Sequence, residues 1–310
     1  MALSLSLATQ IGALFIMIGV GFILIRTGIC NIAESKMLSQ LVLYVSAPCA
    51  IITSFQIELT ASKVQGFLLA LLTAVGIHVI YMLVTYFLDH VFHFCSVEKA
   101  SIIYSNCGNL IIPLVTVILG PQMVFYASGY MIVQTILLWT HCKIMISEDH
   151  SFDIKKILLN INIIAIVIGL VLFLTQITLP TVIESALSGM GSLMGPLSMF
   201  VVGMLLAKMD LRQVFTNKRA YLDCFFRLIL LPSLILIIFI VSGMTHLLPE
   251  APKILMISLL AASAPSASTV TQFAQIYDNK PFEASLINAL SVLLCIVTMP
   301  LINMLYTFLI

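Results

Sequence analysis

Two short stretches carry the groups able to do chemistry: SNCGNLIIPLV at 105–115 and LLAASAPSASTVTQFA at 259–274. Both set neutral hydrogen-bonding side chains and a proline among residues otherwise apolar enough for a bilayer interior. Proline lacks a backbone donor and disfavours helical geometry in the residue before it. Glycine permits unwinding, and asparagine or serine can satisfy the backbone groups set free. Asn106, Gly108, Asn109 and Pro113 therefore predict a break in one helix, and Pro265, Ser266, Ser268 and Thr269 a break in another. The hydroxyls just past Pro265 are expected to cap the helix that restarts there. Two breaks at equal depth would cross, each restarted half-helix turning its positive N-terminal pole into a shared polar cavity. Such a cavity recognises a small charged molecule and needs no covalent step.

The sign of that molecule depends on the surrounding side chains. First-half C-terminal ends also meet at such a crossing, and their carbonyls suit a cation. The crossing stretches, however, hold no carboxylate, and the ionisable residues nearest mid-membrane in the repeat-related spans three and eight are His78 and Arg227. An arginine within a span is expensive and usually functional. Arg227 has two readings of equal weight, a cation facing the substrate or the partner of Asp223 one turn earlier. His78, alone on an apolar helix, reads more readily as a structural hydrogen-bonder. Gln134 is equally a polar site residue or glue between helices.

The elements that must position these residues are membrane helices. Of 310 residues, 61% are hydrophobic and 9% charged, with mean hydropathy +1.16. A soluble domain needs roughly a quarter of its residues charged, so this chain cannot cover a water-facing surface. Apolar windows of bilayer-spanning length fall near 5–25, 37–56, 65–88, 99–119, 122–145, 158–178, 181–206, 220–243, 253–276 and 284–307. The first basic residue, Arg26, follows the first window, the wrong order for a cleavable leader. With ten spans, Lys63 and Lys253 lie on one side. Arg26, Lys36, Lys99, Lys143, Lys155, Lys156, Lys208, Arg212, Lys218, Arg219 and Lys280 lie on the other. The basic side is expected to be cytoplasmic, with both termini outside the cell's plasma (inner) membrane.

The chain also looks duplicated. Ile18-Gly19 and Ile168-Gly169 differ by 150, Pro48 and Pro196 by 148, Pro113 and Pro265 by 152, and His78 and Arg227 by 149. Five is odd, so the second copy must be upside down. The expected fold is all-α and polytopic, ten transmembrane helices in two inverted five-helix repeats with crossed, broken helices four and nine. Residues 1–146 form the first repeat, 147–157 a cytoplasmic connector and 158–310 the second repeat.

Asn106-Cys107-Gly108 followed by Pro113-Leu114 resembles the N-x-G-x-x-x-x-P-L break of the auxin efflux carrier family. Residues 261–305 are similar to that family's stretch through its last two spans. The family contains plant auxin exporters and bacterial permeases for malate and related organic acids. The resemblance implies a homodimer built through spans one, two, six and seven, with elevator-like movement of the rest. It implies that Asn106, Gly108 and Pro113 form one side of the crossing and Pro265 with its serines the other. The chain departs from the family at Ile111, where a glycine is common, and at Ala74 and His78, where plant members pair an acid and a base. Its short connector points to the permease-like branch.

The expected function is a secondary transporter or facilitator for a small organic anion, a carboxylate, embedded in membrane lipid. A proton- or sodium-coupled symporter or antiporter of related architecture is the alternative; Glu184, Asp89 and Asp223 near span ends count against midplane carboxylate chemistry. No G-x-x-x-x-G-K-[ST], H-E-x-x-H or G-x-S-x-G stretch occurs, which argues against self-powered ATP use and against an enzyme. Seven scattered cysteines suggest single thiols without a disulfide or metal framework. No cofactor or nucleic-acid partner is expected.

Overall fold

The computed structural model describes residues 16–147, 158–208 and 216–310. Nearly the whole connector and the start of the first window therefore lie outside the described residues. Among the described residues all regular structure is helical, apart from one isolated antiparallel bridge. Four helical runs are long and apolar enough to cross a membrane: Ala61–Phe92, Pro121–Ser147, Lys218–Ser242 and Pro281–Leu309. Shorter apolar helices include Ile16–Arg26, Ile161–Thr175 and Ala251–Ser263. On Ala61–Phe92 the stripe Leu68, Leu72, Val75, Val79, Leu83 and Phe87 is exposed, while Ala70, Ala74, Ile77, His78 and Tyr81 are buried. An exposed stripe of that size is unfavourable in water and suits hydrocarbon. The protein is a multi-pass helical membrane protein.

The chain divides into two compact units, each drawing on both halves of the sequence. The first comprises Met1–Val64, Gly108–Ser128 and Leu159–Asp210. Its helices approach through glycines: a Cβ at Gly21 would strike the Phe200 backbone, and one at Gly203 the Ile18 carbonyl. With no lipid-expelling force between apolar helices, small residues are what permit such close van der Waals packing. Gly169 likewise accommodates Phe55, whose ring lies 2.6 Å from where a Cβ would be. Phe55 and Phe173 each pack on Phe125 with centroids 5.0 Å apart. The apolar window 181–206 is two helices, Thr181–Ser192 and Met194–Lys208, meeting at Leu193.

The second unit comprises Gln65–Cys107, Gly129–Leu158 and Leu211–Ile310. Its Lys218–Ser242 run contains a π-turn, Phe226–Leu230, in which the Leu231 amide reaches back to the Phe226 carbonyl. Pro232 follows directly. A proline cannot donate to the carbonyl four residues earlier, and the helix absorbs that loss by widening locally. The first unit repeats the device: the π-turn Val42–Ser46 precedes Pro48, with the Ala47 amide bonded to Val42.

Candidate functional site

Two interrupted helices meet within the second unit. One runs Ser96–Ile103, becomes extended at Tyr104 (φ −99°, ψ 130°), and restarts at Cys107. The other runs Ala251–Ser263, becomes extended at Ala264 (φ −64°, ψ 156°), and restarts at Ser268. Ala264 precedes Pro265, and the proline ring drives its predecessor out of the helical region. The first break lies at Tyr104–Asn106, upstream of the expected place, because Pro113 falls inside the continuous helix Cys107–Leu119. Gly108 and Asn109 occupy that helix's first turn. From Gly108 onward the helix counts with the first unit.

The two extended segments satisfy each other. The Asn106 amide donates to the Pro265 carbonyl at 2.8 Å, and the Ala267 amide to the Tyr104 carbonyl at 3.0 Å. Ser105 and Ser266 thus form an antiparallel bridge, both residues buried. An amide side chain secures each side. Ser105 Oγ donates to Gln134 Oε1 at 2.7 Å, and Gln134 Nε2 returns a bond to the Ser105 carbonyl. Asn288 Nδ2 donates to the Ser266 carbonyl at 2.8 Å, and the Ser266 amide donates to Ser291 Oγ at 3.1 Å. Gln134 thus ties its own helix to the first break. Asn288 escaped the sequence reading although it lies 154 residues beyond Gln134, close to the other repeat offsets.

Arg227 is 1% exposed and sits in the π-turn. Its Nε donates to the Ala264 carbonyl at 3.0 Å, and Nη1 to the carbonyls of Ile102 at 3.0 Å and Ile103 at 3.2 Å. These oxygens end the first halves of both interrupted helices, where carbonyls lack helical partners. The guanidinium also lies 5.4 Å from the Tyr81 ring centroid, and Tyr81 Oη donates to the Ala262 carbonyl. Nη2 has no hydrogen-bond partner. The expected Asp223–Arg227 pair is absent: Asp223 is buried, and neither carboxyl oxygen has a hydrogen-bond partner. The π-turn alters the rotation per residue, so four-residue spacing no longer aligns the two side chains.

His78 Nδ1 donates to the Ala74 carbonyl at 2.8 Å, as a structural histidine would, while Nε2 has no partner. Its ring lies 5.0 Å from Tyr130 and 6.4 Å from Tyr104. The expected serine caps are not made. The helix from Ser268 follows Ala267 with no side-chain cap, Ser263 Oγ turns back to the Leu259 carbonyl, and Ser266 Oγ is buried without a partner. Hydroxyls bonding backward along their own helix are unavailable to the next one. No side chain therefore caps the restarted helix, although the Val270 amide bonds the Ala267 carbonyl, and half-buried Asn106, Ser268 and Thr269 lie beside the break. All seven cysteines are free.

An all-helical, lipid-facing chain with irregular backbone held inside protein is built as membrane transporters are. Residues 6–152 and 150–303 match the family described as membrane transport protein, and this chain belongs to that auxin efflux carrier-type family of membrane transporters. It is a transport family and not a family of enzymes. Comparison with curated individual proteins yields no significant match.

Proposed function

We propose that the protein is a secondary transporter or facilitator moving a small organic anion, a carboxylate, by alternating access at the two helix breaks. One observation carries this reading: the negative C-terminal poles of the first halves are covered by Arg227, while the helix restarting at Ser268 is uncapped. What is left unbalanced is positive, which favours an anion. Asn106, Ser268 and Thr269 supply neutral donors beside it. Gln134 acts as a support for this backbone, His78 packs its ring beside Tyr104 and Tyr130, and Arg227 acts by its charge. Ten spans in two inverted repeats accord with the offsets in the sequence.

The grouping of the chain into two units supports an elevator-like cycle, with the second unit carrying the substrate and the first forming a homodimeric scaffold. The protein resides in the plasma (inner) membrane with both termini outside, and it belongs with the malate and organic-acid permeases. Where transport is coupled, Asp223, a buried carboxyl without a hydrogen-bond partner, favours a proton over sodium. The test is uptake of radiolabelled malate into proteoliposomes. Asn106→Ala is expected to insert normally and to lose at least about tenfold in uptake, the cost of one charge-assisted hydrogen bond. Unchanged uptake would refute the site.

A further inference from the structure

The Arg227 cage has a composition that a side-chain hydrogen bond does not require. Its three acceptors are all backbone carbonyl oxygens, drawn from the C-terminal ends of two different helices. Carbonyl oxygens gathered at such negative poles are what a hard metal cation seeks. Among the described residues no carboxylate bonds the guanidinium, and the ring it lies over is that of Tyr81, 5.4 Å away. Nη2 remains unpartnered in a side chain that is 1% exposed, so the site uses the residue's charge more fully than its donors. Arginine stays charged in any protein environment and cannot dissociate.

We propose that Arg227 is a resident cation: its guanidinium occupies the carbonyl cage that a bound sodium ion would otherwise take, so the protein operates without sodium. The cage belongs to the crossing invoked for transport, and its consequence for transport rests on that proposed function. Removing the guanidinium should expose a cation site of three carbonyl oxygens. Sodium, or methylguanidinium as a soluble copy of the missing group, should fill it.

Thermal unfolding of detergent-purified protein tests this, with sodium chloride, choline chloride and methylguanidinium chloride compared at equal ionic strength. Arg227→Ala should melt below the wild type in choline and regain several degrees, saturably, in sodium or methylguanidinium. The wild type should melt identically in sodium and choline. A sodium-specific rise in the wild type, or indifference of Arg227→Ala to both small cations, would overturn the proposal. Should Arg227→Ala fail to fold, Arg227→Lys decides beside the wild type: it keeps the charge and must ignore sodium, and a sodium response overturns the idea. These melts involve no substrate, so they stand or fall separately from malate uptake by Asn106→Ala.

Discussion

Arg219 and Arg227 lie on one helical run, Lys218–Ser242, and both cover the carbonyls at helix ends. Arg219 Nη2 donates to the carbonyls of Phe92 at 2.9 Å and His93 at 3.2 Å, as Arg227 does to Ile102, Ile103 and Ala264. Each guanidinium also sits over an aromatic ring, Phe94 at 5.0 Å and Tyr81 at 5.4 Å. The difference is an acid. Arg219 forms a forked ion pair with Glu98, Nε to Oε1 at 2.6 Å and Nη2 to Oε2 at 3.2 Å, whereas among the described residues no carboxylate pairs with Arg227. Holding carbonyls thus requires no acid. The carboxylate neutralises charge, and the chain omits it beside the helix breaks.

If that contrast is functional, Gln at the two positions should separate capping from charge. Arg227→Gln keeps amide donors and should lower malate uptake about a hundredfold, a loss near 3 kcal/mol, while Arg219→Gln should change it by less than about threefold. Equal losses would dissolve the contrast. A smaller effect is expected from double-mutant cycles in thermal melts. Arg219→Ala with Glu98→Ala should show a coupling of about 1 kcal/mol, and Arg227→Ala with Asp223→Ala less than about 0.3 kcal/mol.

The smallest effect concerns pH. Burial raises the Glu98 carboxyl, but hydrogen bonds from Arg219 and the Cys95 amide outweigh it and hold the group below its ordinary value. A depressed acid stabilises the fold above its unfolded pKa, near 4.3, and that contribution disappears as pH falls through the lower folded value. The wild type should therefore lose a little stability below about pH 4 that Glu98→Gln lacks from the start. Parallel melting curves for the two proteins across that range would remove the ion pair from the account.

The sequence exposed much of this because several features are local. Pro265 alone dictates an extended Ala264, and Gln134 announces itself as an amide in an apolar span. The first break was misplaced because Tyr104–Asn106 is held extended by a segment some 160 residues away, and no local residue enforces it. Pro113 drew attention as a breaker, yet a proline within a membrane helix is tolerated when neighbours meet the freed carbonyl. The Asp223–Arg227 pairing failed because ideal helical spacing was assumed across a π-turn that Pro232 signals. Asn288 was legible only by carrying Gln134 through the repeat offset.

The backbone bridge between Ser105 and Ser266 ties two distant parts of the chain into one strap. Parting it inside the protein would strand two amides and two carbonyls, each at a cost of about 1–3 kcal/mol while left without a partner. Whatever rearrangement the protein undergoes, Tyr104–Asn106 and Ala264–Ala267 must ride together as a single rigid joint, and the bending has to happen elsewhere.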